Sequence, residues 1–222
     1  MISCCGADAL LASTAESGRV ADLVYADPPW TYTQQGGPDW SCRGAAQDQY
    51  AGLTVDEIAE HLSAAHAIAS DDCYLIVWCT WPKLAEWMSA SAPMPWTYIT
   101  GGAWGKTSGL GVGFHFRGDS EPLLLYRKGR PRPLTARSNL WLSARTQHSE
   151  KPRAALEPLI SSLCPPGGLV LDPYAGQSAS CAIVCRRLGR EYMGSEIDPA
   201  RHAAAMLRLS QLELFQGSAV LG

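Results

Sequence analysis

Apolar residues along the chain fall into short unbroken runs separated by stretches of helical spacing. Leu23-Val24-Tyr25-Ala26, Cys73-Tyr74-Leu75-Ile76-Val77-Trp78-Cys79 and Leu169-Val170-Leu171 are the unbroken runs. A strand covered on both faces is apolar on both, so these read as buried strands of a parallel sheet, the first over residues 20–27. Residues 1–5, 96–104, 121–127 and 192–196 predict four more strands. Between strands, Thr54-Val55-Asp56-Glu57 is a capping box. It opens a helix with Ile58, Leu62, His66 and Ile68 spaced for one face. A brief helix is expected after Gly6-Ala7-Asp8, and others over residues 83–90, 151–163 and 179–188. Asp198-Pro199 starts the last, with an N-cap aspartate and proline at the first helical position. Strands alternating with helices predict an α/β fold: a mainly parallel seven-stranded sheet with helices on both faces.

Two strands end in chemistry. The first stops at Asp27-Pro28-Pro29-Trp30, where neither proline can donate a ladder hydrogen bond. Ligands of open α/β sheets sit outside the carboxyl ends of strands. Asp27 and Trp30 are therefore expected to project into a ligand crevice; the plainer alternative is a Pro-rich turn with one surface acid. A long polar loop, residues 31–49, follows. The second strand ends at Asp172-Pro173-Tyr174-Ala175-Gly176, and Glu196 closes the strand after it. A glycine there lets backbone approach a ligand, and an acid at that place can hold both hydroxyls of a ribose. An ordinary turn and a surface glutamate are the alternatives. The turn lacks the G-x-G-x-x-G of a dinucleotide site, and Gly105-Lys106-Thr107 is no Walker motif because Thr100 stands where its first glycine is needed.

Composition narrows the class. With 222 residues, 46% apolar and 18% charged, the chain reads as one globular domain spanning 1–222. Its net charge of −3 is mild, but no Asp or Glu occurs between Glu121 and Glu150. That window carries Arg127, Lys128, Arg130, Arg132, Arg137 and Arg145. It is either a phosphate-gripping face or a solvated basic loop. The eight cysteines form no C-x-x-C pair and read as reduced core residues; Cys181 and Cys185 share a helix face without further metal ligands. No apolar run approaches the roughly 18 residues of a membrane span, and no basic region precedes Ala9-Leu10-Leu11 as in a signal peptide. A cytoplasmic protein without a membrane partner is expected.

Several motifs in order carry a family resemblance. Asp27-Pro28-Pro29-Trp30 resembles the DPPW catalytic motif of amino-group methyltransferases acting on adenine. Asp172-Pro173-Tyr174-Ala175-Gly176 is similar to their S-adenosylmethionine motif, and His148-Ser149-Glu150-Lys151-Pro152 to the segment preceding it in the permuted, beta-class enzymes. Catalytic motif before cofactor motif is that class's order. Tyr50-Ala51-Gly52-Leu53-Thr54 and Trp104-Gly105-Lys106-Thr107 look like the subgroup containing the N6-methyladenosine writers of messenger RNA. The resemblance implies a circularly permuted, Rossmann-like methyltransferase fold. It also implies roles. Asp27 and the Pro28 carbonyl accept hydrogen bonds from the adenine N6 amino group, Pro29 stiffens the turn, and Trp30 stacks on the base. Asp8 holds the adenine end of the cofactor and Glu196 the ribose. Asp172, Pro173, Tyr174, Ala175 and Gly176 line the methionine part, with Gln177 and Ser178 completing the turn. Lys151 meets the cofactor's carboxylate, near His148 and Ser149. From their charge rather than the resemblance, Lys106, Arg127, Lys128, Arg130, Arg132 and Arg137 are expected to contact nucleic acid, gripping phosphates without reading sequence.

The chain departs from the pattern at Gln177-Ser178-Ala179, which stands where Ser-Gly-Thr is usual, and it has no long insert for a recognition domain. The chemistry suits the residues nonetheless. An adenine amino nitrogen must pyramidalise to attack, and two oxygens accepting its hydrogens stabilise that geometry and the developing charge. No cysteine follows a proline, which excludes the usual carbon-5 cytosine mechanism. The expectation is a monomeric or homodimeric adenine-N6 enzyme of bacterial or phage type, acting on DNA. RNA as substrate, cytosine N4 as target and a catalytically silent binding subunit are its rivals.

Overall fold

In a computed structural model, the described residues are 1–32, 52–108, 115–144 and 150–218. Most of the polar loop after Trp30 lies outside them, as do Cys42, Arg145, His148 and Ser149. In chain order the elements are β1 (Ile2–Ser3), α1 (Ala7–Glu16), β2 (Ala21–Ala26), α2 (Val55–Ala67) and β3 (Ala69–Trp78). A single 3-10 turn (Trp81–Lys83) leads into α3 (Leu84–Ala90), followed by β4 (Thr97–Lys106), β5 (Ser120–Lys128) and β6 (Leu140–Ser143). The chain closes with α4 (Arg153–Leu163), β7 (Leu169–Asp172), α5 (Ser180–Arg187), β8 (Glu191–Ser195) and α6 (Pro199–Ser218).

The strands form one sheet in the order β1-β8-β7-β2-β3-β5-β4-β6. Only β5 runs against its neighbours, β3 and β4. The seven expected strands are present. The eighth, β6, escaped prediction because Leu140-Trp141-Leu142-Ser143 is short and alternates between exposed and half-buried positions.

Alternation along β2 explains its unbroken apolar run. Val24 and Ala26 face one core with Leu10 of α1, Ile58 and Leu62 of α2, and Trp87 of α3. Leu23 and Tyr25 face the other, with Leu156 and Ile160 of α4 and Val184 and Cys185 of α5. The capping box of α2 forms as expected: Thr54 Oγ1 accepts from Glu57 N at 3.2 Å, and Glu57 accepts from Thr54 N at 2.8 Å. Asp198 caps α6 by accepting from Arg201 N at 2.9 Å.

Because β1, β8, β7, β2 and β3 are mutually parallel, their carboxyl ends share one edge of the sheet. That edge gathers Asp8, Asp27, Asp172 and Glu196. The antiparallel β5 begins at the same edge, since Leu123 pairs with Trp78, and ends at the opposite one, since Lys128 pairs with Cys73. This register corrects the reading of the basic window. Arg127, Lys128, Arg130 and Arg132 lie at the sheet edge opposite Asp27. The backbone N–H of Arg130 is held there by Asp72 Oδ1 at 2.6 Å. Lys128 is a helix cap: its Nζ donates to His66 O at 3.0 Å and Ala69 O at 2.7 Å, where the carbonyls of α2 end. Arg137 is exposed on the segment returning to β6.

Lys128→Met should therefore destabilise the fold by about 1 kcal/mol, read by chemical denaturation, without altering nucleic-acid affinity. A stable variant with weakened binding would restore the phosphate-gripping reading.

Candidate active site

Asp27 is the first residue beyond β2. Both its carboxylate oxygens accept from Lys151 Nζ at 2.7 Å. The same ammonium lies 3.3 Å from Glu121 Oε2, and Glu121 Oε1 accepts from Lys106 Nζ at 2.5 Å. The result is an alternating row, Asp27–Lys151–Glu121–Lys106, with each cation also set over an indole. Lys151 stands 5.4 Å from the Trp78 ring centroid and Lys106 stands 5.1 Å from that of Trp104. The lysine side chains are 11% and 8% exposed, against 26% for Asp27, so Asp27 is the open end of the row.

Burial sets the protonation of the row. It raises the Asp27 carboxyl above the ordinary carboxylate value despite the attraction of Lys151. Burial also works against the Lys151 ammonium, but Asp27 and Glu121 outweigh it and hold that group above the ordinary lysine range. Glu121, buried too, is brought below its ordinary value by Lys151 and Lys106. Two 2.7 Å bonds from one ammonium identify Asp27–Lys151 as an ionised pair.

This geometry revises three sequence expectations. Lys106 is committed to Glu121 inside the row and is not a surface phosphate contact. Lys151 meets two carboxylates of the protein itself, so its three donors are already directed before any cofactor carboxylate arrives. Trp30 does not project into the crevice. Its ring is buried, 5.4 Å from the Trp87 centroid in an edge-on contact, and its Nε1 donates to Trp78 O at 3.2 Å. The bonds Leu53 N to Pro29 O (2.7 Å) and Thr31 N to Leu53 O (3.0 Å) pin the motif to the segment before α2 and turn the ring inward. Pro28 O accepts from Trp30 N at 3.0 Å, leaving one of its two lone pairs.

The second half of the edge is formed by the carboxyl ends of β7, β8 and β1. Gly176 adopts φ +63°, which favours glycine, and a Cβ built there meets nothing within 4 Å, so the turn opens onto free space. Gln177 is exposed and Ser178 half-buried. Ala179 takes a left-handed conformation, φ 48°, at the N-cap of α5; this is where the motif departs from its family. Ala175 N donates to Ser195 O and Ser195 Oγ to Pro173 O, both at 2.9 Å, locking the turn to β8. Asp172 is turned inward: it accepts from Tyr174 N at 3.0 Å and Tyr192 OH at 2.8 Å. Burial pushes its carboxyl up to about 7 against those two hydrogen bonds. It shapes the turn and has both oxygens engaged by the protein.

Glu196 is the first residue beyond β8, its Oε1 accepting from Asp198 N at 2.9 Å. Ile197 beside it is 75% exposed and would touch a Cβ at Gly6 at 3.6 Å. Asp8 lies in the first turn of α1, its Oδ1 3.2 Å from His61 Nε2, while His61 Nδ1 is 2.9 Å from Tyr174 OH. Asp8 can only accept, so His61 Nε2 is the donor in the first contact, and His61 Nδ1 and Tyr174 OH share the second. Sequence reasoning missed Glu121, His61 and Ile197. Glu121 had a signal, being the acid at which the acid-free window begins; the other two are defined only by tertiary contact.

Asp27 and the open turn at Gly176 thus share one carboxyl edge of a mainly parallel sheet, where α/β enzymes bind their ligands. The chain belongs to the family described as DNA methylase, whose model matches residues 21–207. It is 25% identical to the protein named "Putative methylase YubD" of Escherichia coli (strain K12) over 212 residues, 91% of this chain and 88% of that protein. The fold is similar to that of M1.HpyAVI in its complex with SAM (TM-score 0.71, 16% identity, 94% of this chain and 98% of that one). It is also similar to the PvuII DNA methyltransferase, described as cytosine-N4-specific (TM-score 0.65, 14% identity, 86% and 79%). No helix among the described residues is long and apolar enough to cross a membrane.

Two outcomes are expected from the buried charges. Asp172 has a higher pKa folded than unfolded, so the native state binds the extra proton. Stability falls as pH rises from about 4 through about 7 and the penalty is complete above that. Asp172→Asn removes it, so the variant's melting temperature relative to wild type should rise between pH 5 and pH 8. A difference that does not change with pH would contradict the buried-acid account. Glu121→Gln strips a counter-charge from two buried lysines and should destabilise by about 3 kcal/mol in chemical denaturation; a neutral effect would show that the row is not coupled.

Proposed function

We propose that the protein transfers the methyl group of S-adenosylmethionine to the N6 amino group of adenine in DNA. The single observation that carries this reading is Asp27: a carboxylate at the open end of a buried ionic row, followed by a proline carbonyl with a free lone pair. The two acceptors suit the two hydrogens of an exocyclic amino group. As hydrogen bonds from that group shorten, the ionised Asp27 stabilises positive charge developing on its nitrogen. Lys151 keeps Asp27 charged and fixes its orientation, so little reorganisation is needed.

The residues at the ends of β1, β7 and β8 suit the cofactor's parts. Glu196 suits ribose hydroxyls, Ile197 beside Gly6 offers an apolar wall for a flat base, Asp8 offers an acceptor for an adenine amino group, and the open turn at Gly176 leaves room for an amino-acid tail. When bound, S-adenosylmethionine supplies an electrophilic methyl group on a sulfonium. His61 bridges Asp8 and Tyr174, and so holds the two at one spacing.

Cytosine N4 presents a similar amino group, and the family includes enzymes of both kinds. Aspartate at position 27 favours adenine, because the motif resembles that of adenine enzymes and serine is more usual there in cytosine-N4 enzymes. RNA remains the alternative polymer. Labelled cofactor incubated with single-stranded DNA, duplex DNA and RNA, followed by nucleoside analysis, separates these. The expected product is N6-methyladenine in DNA, with Asp27→Ala losing at least about 100-fold in rate while retaining cofactor affinity. N4-methylcytosine, or modification of RNA alone, would overturn the assignment. Cofactor binding without any methylation would make the chain a silent subunit.

A further inference from the structure

We propose that Trp81 is the aromatic platform on which a base of the DNA strand stacks beside the Asp27 centre; this rests on the DNA-methylation reading above. The need for such a platform arises from Trp30. With that ring sealed in the core, the DPPW motif offers no aromatic face to a nucleobase. Extruding a base from a duplex costs a few kcal/mol, and stacking on an aromatic returns roughly 1–3 kcal/mol, so an exposed ring at the acceptor edge matters.

Trp81 is that ring. Its side chain opens the 3-10 turn three residues beyond the carboxyl end of β3 and is 51% exposed. Its Nε1 donates to Ser120 Oγ at 2.9 Å. That bond satisfies the indole's polar atom and fixes the plane of the ring, leaving a π-face for stacking. Ser120 adjoins Glu121, whose carboxylate meets the Lys151 ammonium that grips Asp27. The residue before Trp81, Thr80, shares a 2.7 Å hydroxyl hydrogen bond with Tyr32, two residues beyond Trp30. The ring is thus tied from both sides to the acceptor segment.

Electrostatics point the same way. Near this edge, Lys106 is spent on Glu121, and Lys83 on Glu86 at 2.8 Å and on the Tyr32 ring at 5.8 Å. The cations of β5 sit at the far edge. Stacking on Trp81 is sequence-tolerant and by itself adds little to the salt dependence of binding.

The test uses the full chain and a fluorescein-labelled, adenine-containing single-stranded oligonucleotide, read by anisotropy over a salt series. Trp81→Leu keeps apolar bulk but removes the π-face; Trp81→Phe keeps a smaller one. Trp81→Leu is expected to weaken binding about tenfold with the salt slope unchanged, Trp81→Phe to stay within about threefold, and cofactor affinity to be unaltered in both. Unchanged binding by Trp81→Leu, or equal losses in both variants, would overturn the proposal. If wild type methylates DNA while Trp81→Leu binds it normally, the role of Trp81 fails and the methylation reading stands. If wild type binds no oligonucleotide, both fall.

Discussion

One buried ammonium organises the acceptor half of this molecule. Lys151 lies between the Asp27 and Glu121 carboxylates, and without it two acids would face each other in a partly desolvated site. One of them would then take up a proton, as like charges at close range require. A protonated Asp27 would be a poorer acceptor for an amino group that carries developing positive charge. Lys151 therefore decides the charge state of the residue to which the proposed function gives the acceptor role. Its place is fixed from behind: Glu150, next in the chain, accepts from Ser180 Oγ at 3.2 Å and Arg208 Nη2 at 2.9 Å, joining the approach to α4 to the start of α5 and to α6.

The sheet edge divides its work between two halves. The ends of β1, β8 and β7 carry the residues proposed to hold the cofactor; those of β2 and β3, with the start of β5, carry those proposed to meet the acceptor. The central β7–β2 pairing joins them through Leu23↔Val170 and Val24↔Leu171. Alignment of the two reacting groups is thus set by rigid backbone, which suits a reaction that depends on positioning more than on a covalent intermediate.

Much of this architecture was legible because local and global signals agree. Unbroken apolar runs marked β2, β3 and β7 since both sides of those strands meet a core. The capping box at Thr54 and the Asp198 cap are encoded within four residues. What escaped prediction depends on register. Lys128 carries a charge that composition alone assigns to phosphates, but the antiparallel course of β5 carries it to the end of α2. The same reversal brings Glu121 to Lys151 and, through β4, Lys106 to Glu121. Trp30 turns inward because Trp78, Trp87 and Leu53, from three separate segments, meet around it. Local pattern could announce an aromatic after two prolines; it could not say which way the ring would point.

The most direct test of the central claim is the single-turnover methyl-transfer rate of Lys151→Met at saturating cofactor and DNA. If Lys151 acts by keeping Asp27 charged and oriented, the rate falls at least about 100-fold while cofactor affinity changes little. A variant with weakened cofactor binding but a near-normal rate at saturation would contradict that account and place Lys151 on the cofactor's carboxylate instead.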